Sequence, residues 1–149
     1  MGTENMPFRQ KTDFDNRPVG IFDSGLGGLT VVSAIRNYLP EENLVYLGDT
    51  ARVPYGNRSA ETVVEFALQD LHFLMEKNVK AVVIACNTVS AVAVDRMRQC
   101  CPEIPISGVI VPGVQAVLRT GSKKITVLGT RGTIRSGAYE KAILESCPD

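Results

Sequence analysis

The strongest sign of chemistry in the sequence is a cysteine followed at once by asparagine and threonine, Cys86–Thr88. The range 81–85 before it holds only small or β-branched apolar residues, which predicts a strand buried on both faces of a parallel sheet. Asn87 and Thr88 are typical of helix N-termini. We therefore expect Cys86 between the end of a strand and the positive end of a helix, where the thiolate form of a cysteine is favoured and the residue is reactive.

A structural role for Cys86 is the competing interpretation. Unpaired cysteine is among the most frequently buried residue types, and it packs as a small hydrophobic side chain. A purely apolar core would not continue into asparagine and threonine, so the polar residues after Cys86 favour a functional role.

Polar residues also follow three other predicted strands. They are Asp23 with Ser24, Asp49 with the loop Pro54-Tyr55-Gly56, and Thr130 with Thr133. Because parallel strands end at one edge of their sheet, we expect these residues to meet Cys86 in one cleft. Hydroxyl groups and backbone amides at helix starts can hold carboxylates, and Asp23 can accept from an ammonium group or position a proton. The cleft is predicted to bind a small zwitterionic or anionic ligand.

Alternating strands and helices are expected to position these residues. Strands are predicted at 18–23, 44–47, 81–85, 104–110 and 124–128. Apolar residues at helical spacing predict the segments between them as helices. The helices are predicted from Leu29 to a stop at Pro40, from Ala60 to about Lys77, from the cysteine motif to Cys100, from Pro112 to Leu118, and a last one ending at about Glu145. In the second of them, Ser59 is the expected cap, and the residues expected to point inward are Val63, Ala67, Leu71 and Leu74.

This alternation predicts an α/β fold, a parallel sheet with helices on both faces in three layers, as in flavodoxin-like proteins. We predict a disordered leader over 1–17, a first α/β domain over 18–111, and the start of a second domain of the same kind over 112–149. The ending after the last helix, without a further strand, suggests a chain cut short.

The composition excludes several classes of protein. Sixteen basic and sixteen acidic residues cancel in a chain of 149 residues, and no basic stripe indicates a nucleic-acid partner. One histidine, His72, and four cysteines without a Cys-x-x-Cys motif are too few for a zinc site, and no metal is expected. His72 shares the polar face of its helix and is interpreted as a surface residue. No signal peptide or membrane span is predicted, and the cytoplasm is the expected location.

The glycine-rich loop from Asp23 to Thr30 supports an alternative function. Its glycines partly match the dinucleotide-binding pattern Gly-x-Gly-x-x-Gly, and Asp49 lies at about the distance of a ribose contact. Thr30 replaces the third glycine, however, and Asp23 places a carboxylate where the strand should turn under a pyrophosphate. A nucleotide-binding α/β module using this loop stays open as the alternative.

Four of these segments together resemble bacterial glutamate racemases, a branch of the aspartate/glutamate racemase superfamily. The segments are 22–30, 48–56, 85–88 and 129–139, and the resemblance extends from about Pro18 to the end. It implies an isomerase that converts L-glutamate to D-glutamate for peptidoglycan synthesis, cell wall biogenesis and cell shape. Such an amino-acid racemase needs no cofactor, and its small-molecule partner is glutamate. A homodimer is left open.

The resemblance also implies roles for individual residues. Two cysteines act on opposite faces of the substrate α-carbon, one removing the proton and the other returning one; Cys86 matches the first, and Asp23 is carried over as a catalytic residue. The substrate-binding and support positions are matched by Asp23, Ser24, Tyr55, Gly56, Asn87, Thr88, Thr130 and Thr133.

One departure from the family pattern is serious. The second cysteine belongs to a Gly-Cys-Thr-His segment, which this sequence lacks, and Cys100, Cys101 and Cys147 have other surroundings. Family members are about twice as long by domain-size expectation, and returning chain completes their first domain. We therefore expect this chain alone to be inactive.

Overall fold

A computed structural model describes residues 15–147. The strands are β1 Val19–Asp23, β2 Leu44–Gly48, β3 Ala81–Ile84 and β4 Ile106–Gly108. The helices are α1 Leu29–Tyr38, α2 Ala60–Glu76, α3 Asn87–Val92, α4 Val94–Cys100, α5 Ile110–Leu118, α6 Arg131–Arg135 and α7 Ala138–Ser146, with a 3₁₀ turn at Tyr55–Asn57.

The four strands form one parallel sheet in the order β2-β1-β3-β4. Asp23 is paired with Gly48, and Phe22 with Ile84, so β1, β2 and β3 end at the same edge. The predicted α/β fold is confirmed. The chain leaves β1 toward β2 on one side of the sheet and leaves β3 toward β4 on the other side. These diverging connections open a crevice between the carboxyl ends of β1 and β3.

Helices lie on both faces of the sheet. On one face, Phe22, Val82 and Ile84 pack with α2 and α4 in the main core. All four residues predicted to point inward from α2, Val63, Ala67, Leu71 and Leu74, are buried, and the Ser59 side chain caps this helix as expected. On the other face, Gly28 at the start of α1 approaches Asp23, Tyr46 and Ala85. No residue of α1 itself is buried.

A second, smaller apolar cluster joins α5 to α7. Its buried members are Ile110, Val114 and Ala142, with Tyr139 and Ile143 packed against them. The predicted domain boundary at 111/112 falls inside α5, which begins at Ile110.

Several predicted elements differ from the structure. No strand forms at 124–128, because an extended segment needs a strand beside it and the four-stranded sheet of residues 15–147 does not reach it. The predicted helix before Cys100 breaks at Ala93 into α3 and α4. Gly137, with φ of 65°, separates α6 from α7 within the predicted last helix. Only alternate residues of β3 are fully buried, since the α1 face is thinly covered.

The predicted leader falls mainly on residues 1–14, outside the described part of the chain. Residues 15–17 contact the domain, where Asn43 donates to the Asn16 carbonyl and Lys80 to the Asp15 carbonyl. His72 is a surface residue as predicted, with 80% of its side chain exposed beside Glu76. No helix in 15–147 has the length and apolar character required to cross a membrane.

Candidate active site

Cys86 lies at the junction that its sequence context predicts, directly after β3 and at the N-cap of α3. Its thiol donates to Ser24 Oγ with an Sγ–Oγ distance of 3.2 Å. The residue is only 6% exposed and belongs to the main core, yet it also lines a cavity of about 470 Å³. Both interpretations of this cysteine therefore describe part of its surroundings: one side packs in the core and the other borders the cavity.

Six predicted site residues come together around this cavity. They are Asp23, Ser24, Cys86, Asn87, Thr88 and Thr130. They come from the ends of β1 and β3, the start of α3 and the N-cap of α6. The convergence follows from the parallel sheet, whose strands end at a common edge.

Asp23 is buried at the end of β1, and its two carboxylate oxygens differ in their hydrogen bonds. Its Oδ2 accepts hydrogen bonds from the backbone amides of Gly25 at 3.1 Å and Gly28 at 3.0 Å. Its Oδ1 takes no hydrogen bond within residues 15–147 and is not sealed from solvent, so it is the oxygen open to a ligand. The glycine amides that would hold a phosphate in a nucleotide site already hold a carboxylate. This arrangement disfavours the nucleotide-binding alternative.

Three threonine hydroxyls form a cluster beside Cys86. Thr88 Oγ1 lies 2.9 Å from Thr130 Oγ1 and 3.4 Å from Thr133 Oγ1, and the last two are 3.1 Å apart. Thr130 also caps α6 by accepting from the Thr133 amide. Thr133 is 3% exposed and lies outside the cavity lining, so it supports the hydroxyls that face the ligand.

Tyr55 is placed behind the site and does not line the cavity. It is 2% exposed and packs against Phe22 and Phe66. Its hydroxyl lies within hydrogen-bond distance of Asp49 and, at 3.0 Å, of Asp70. Burial raises the pKa of Tyr55 far above its ordinary value, and the two carboxylates add to this effect.

Arg52 joins the same two carboxylates from the other side. Its Nε donates to Asp49 at 2.5 Å and its Nη2 to Asp70 at 2.7 Å. Burial raises the pKa of Asp70, and the charge of Asp49 adds to the rise while Arg52 opposes it. The resulting network fixes the loop that carries Tyr55 and Gly56.

Gly56 links this loop to the threonine cluster. A Cβ atom added to Gly56 would lie 2.4 Å from the Cβ of Thr130, which no ordinary side-chain contact permits. The absence of a side chain at Gly56 therefore lets α6 approach the loop. Gly56, like Tyr55, does not line the cavity with Cys86.

Sequence reasoning missed three residues of the site. Tyr139 lines the cavity, donates to Asn87 Oδ1 at 2.6 Å and has a pKa raised by burial. Tyr46 donates to the Gly25 carbonyl at 2.7 Å, and burial followed by the charge of Asp23 raises its pKa. Asp70 is a buried acid on the apolar stripe of α2, and that position was the available signal.

Among residues 15–147, no three side chains of the histidine, cysteine, aspartate and glutamate types lie together as metal ligands would. The chemistry of the cavity is that of one thiol, one carboxylate, hydroxyls and an amide.

Comparison with known proteins identifies related chains. The sequence model of one family, described as Asp/Glu/Hydantoin racemase, matches residues 29–146. A glutamate racemase of Neisseria meningitidis serogroup B is 49% identical over 134 residues, which cover 89% of this chain and 50% of the relative. The glutamate racemase of Aquifex pyrophilus is 49% identical over 132 residues, 88% of this chain and 52% of that one.

Solved structures show the same relationship. The glutamate racemase from Francisella tularensis in complex with D-glutamate matches with a TM-score of 0.84 and 44% identity, over 91% of this chain and 51% of that one. The Aquifex pyrophilus enzyme matches with a TM-score of 0.84 and 49% identity, over 87% and 52%. The chain thus spans about half the length of the curated relatives it matches.

Proposed function

Since the chain belongs to the Asp/Glu/hydantoin racemase family, we propose that it forms one half of a glutamate racemase site, with Cys86 as one of two cysteines that transfer protons. The substrate is glutamate, and the reaction exchanges the configuration at its α-carbon without a cofactor. The observation that carries this proposal is the thiol of Cys86, held by Ser24 at the edge of a cavity that also contains an open oxygen of Asp23.

The reaction needs two proton transfers on opposite faces of the α-carbon. As a thiolate, Cys86 takes the proton from the α-carbon of L-glutamate, and the electron pair of the broken C–H bond is delocalised into the α-carboxylate. A second thiol then gives its proton to the other face, forms the new C–H bond and becomes a thiolate. The reverse direction starts from that second thiolate, so protons and electrons balance over a cycle.

The other cavity residues can bind and orient the substrate. The open oxygen of Asp23 suits the ammonium group, because a charged hydrogen bond there is stronger than a neutral one. The hydroxyls of Thr88 and Thr130 suit a carboxylate, whose developing charge must be stabilised during proton removal. Asn87 is fixed for a similar role by the hydroxyl of Tyr139.

No second cysteine lines the cavity in residues 15–147. Cys100 is exposed, and Cys101 is half-buried with a pKa raised by burial. We therefore propose that the second thiol comes from further chain and that this chain alone does not racemise glutamate. In the complete enzyme, the D-glutamate formed would serve peptidoglycan synthesis in the cytoplasm.

Alkylation of cysteines tests substrate binding at Cys86. The chain is treated with iodoacetamide, and modification of each cysteine is followed by mass spectrometry with and without D-glutamate or L-glutamate. We expect glutamate to slow modification of Cys86, with no effect on the exposed Cys100 as an internal control. Equal modification of Cys86 at saturating glutamate would contradict the proposal.

Racemisation of L-glutamate by this chain tests the proposal that the chain alone is inactive. Incubation of this chain with L-glutamate, followed by enzymatic detection of D-glutamate, is expected to show no product above the level of a Cys86→Ser variant. Robust turnover by the unaltered chain would contradict the proposal that the second thiol comes from further chain.

A further inference from the structure

The loop after β1, residues 24–28, borders the cavity but has few side chains that could hold it in place. It reads Ser-Gly-Leu-Gly-Gly, and its one large side chain, Leu26, is 67% exposed. Glycine samples more backbone conformations than other residues, so such a loop needs hydrogen bonds to keep one conformation. The site depends on that conformation, because Ser24 of this loop accepts from the Cys86 thiol at the cavity edge.

Two hydrogen bonds of the loop connect it to the strand that precedes it. The amides of Gly25 and Gly28 both donate to Oδ2 of Asp23, the last residue of β1. These bonds curl the loop around the carboxylate. They do not connect the loop to a second element, which would fix its position over the sheet.

Tyr46, in the neighbouring strand β2, supplies that connection. Its hydroxyl donates to the Gly25 carbonyl at 2.7 Å, across 21 residues of sequence. Its ring lies beside Gly28, where an added Cβ atom would be 3.1 Å from Tyr46 Cε2. Burial, followed by the charge of Asp23, raises the pKa of Tyr46, so the hydroxyl stays a donor well above neutral pH.

Gly48 leaves space for the carbonyl that Tyr46 binds. It lies two residues after Tyr46, on the same face of β2. A Cβ atom added to Gly48 would overlap the Gly25 carbonyl oxygen. The loop therefore lies directly on the backbone of β2, where one residue donates to the carbonyl and another leaves space for it.

We propose that Tyr46 is a positioning residue of the site. Its hydroxyl, through the Gly25 carbonyl, holds the loop in the conformation that presents Ser24 and the Asp23 carboxylate to a bound amino acid. Tyr46 does not line the cavity and acts through the loop. This inference rests on the proposed function, because glutamate is the ligand whose binding the loop would support.

Tyr46→Phe tests the inference, because it removes the hydroxyl and keeps the ring beside Gly28. Without ligand, amide exchange measured by NMR should become about three- to tenfold faster at Gly25 and Gly28, since the loop loses one hydrogen bond. The glutamate concentration that half-protects Cys86 from iodoacetamide should rise by a similar factor. Tyr38→Phe removes the hydroxyl of a tyrosine that is 86% exposed, and this matched control should change neither quantity.

Gly48→Ala disturbs the same contact from the strand side. Its methyl group should displace the Gly25 carbonyl while the hydroxyl of Tyr46 is kept, so exchange and half-protection should change in the same direction as in Tyr46→Phe. Once the carbonyl is displaced, additional loss of the hydroxyl should have little further effect, and the double variant should resemble Gly48→Ala. Circular dichroism establishes that each variant folds.

Three results would overturn the inference alone. The first is unchanged exchange at Gly25 and Gly28 in Tyr46→Phe. The second is faster exchange with unchanged protection of Cys86, which would show that binding does not depend on the loop conformation. The third is additive losses in the double variant, which would show that the two residues act separately. Failure of glutamate to protect Cys86 in the unaltered chain would instead contradict the proposed function, and the inference would fail with it.

Discussion

Cys86 differs from the other cysteines in the groups that surround it. Its thiol contacts a serine hydroxyl at the edge of a cavity and follows directly from a central strand. Cys101 is half-buried, and burial, followed by the charge of Glu103, raises its pKa. A raised pKa keeps that thiol protonated and weakly nucleophilic near neutral pH. Because Cys86 lines the cavity together with Asp23, glutamate bound there is expected to protect Cys86 selectively from alkylation.

Asp23 is expected to contribute charge to ligand binding and hydrogen bonds to the fold, and these two contributions can be separated. In Asp23→Asn, the amide oxygen can still accept from Gly25 and Gly28, so the fold should persist. The lost charge should weaken glutamate binding by about 10- to 100-fold, measured by protection of Cys86 from alkylation. Asp95→Asn removes a surface carboxylate and should leave protection unchanged. Equal protection in both variants would exclude Asp23 from ammonium binding.

The buried hydroxyl of Tyr55 makes stability depend on alkaline pH. An unfolded tyrosine loses its proton near pH 10, whereas burial first and then Asp49 and Asp70 raise the pKa of Tyr55 in the folded chain. The folded state therefore holds a proton that the unfolded state releases. The stability linked to this group is complete below about pH 10 and is lost as the pH rises above that value.

Tyr55→Phe provides the measurement. At about pH 8 the variant should lose about 1–3 kcal/mol in urea unfolding, because Asp49 and Asp70 lose a donor. At about pH 11 this difference should shrink by about 1.4 kcal/mol, since only the unaltered chain gains ionisation of residue 55 on unfolding. Tyr46 and Tyr139 are present in both proteins and cancel. A difference independent of pH would contradict a raised pKa at Tyr55.

At the scale of elements, the loop of Tyr55 and Gly56 positions α6. The ion pairs of Arg52 with Asp49 and Asp70 fix one side of the loop. On its other side, Gly56 packs directly against the Thr130 side chain. The threonine cluster therefore depends on contacts between elements far apart in sequence. These contacts position hydroxyls beside Cys86 without touching a ligand themselves.

Gly56→Ala should separate α6 from this loop. The added methyl group would overlap Thr130, and overpacking of this kind costs about 1–3 kcal/mol. Hydrogen–deuterium exchange should become faster over 130–136, and protection of Cys86 by glutamate should weaken.

Gly113→Ala is the matched control for this change. It adds the same methyl group in α5, where the nearest side-chain atom is 3.8 Å away, and alanine favours a helix over glycine. The control should be neutral or stabilising by up to about 1 kcal/mol. Unchanged exchange over 130–136 in Gly56→Ala would show that the loop does not position α6.

Elements that depend on their own sequence pattern were predictable. The cap at Ser59 and the apolar spacing of α2 come from local rules, and the convergence of Asp23, Cys86 and Thr88 follows from a parallel sheet. The break of the predicted helix at Ala93 and the absence of a strand over the described residues 124–128 depend on tertiary neighbours. A local sequence pattern does not encode such neighbours. Tyr55 is buried behind the site because its hydroxyl lies between Asp49 and Asp70. These two residues are distant in sequence, so the sequence pattern around Tyr55 could not predict its position.

At the scale of the whole molecule, apolar packing is unevenly distributed. Among residues 15–147, sixteen buried residues form the main core, whereas three form the cluster between α5 and α7. On the α1 face, Leu29 is 48% and Leu39 53% exposed. The relatives are about twice as long, and completion of the first domain by returning chain stays a prediction from the family resemblance.

This uneven packing predicts two levels of stability. Local opening requires less free energy where fewer apolar contacts are lost, so amides of α7 should exchange well before those of β1 and β3. Native-state hydrogen exchange measures both. Val114→Ala should lower the opening free energy of α5 and α7 by about 1–2 kcal/mol and leave the sheet unaffected. Val82→Ala, the same truncation in the main core, should lower that of the sheet amides. If Val114→Ala instead destabilises β1 and α7 equally, the two clusters unfold as one unit and the small cluster is an integral part of the first domain.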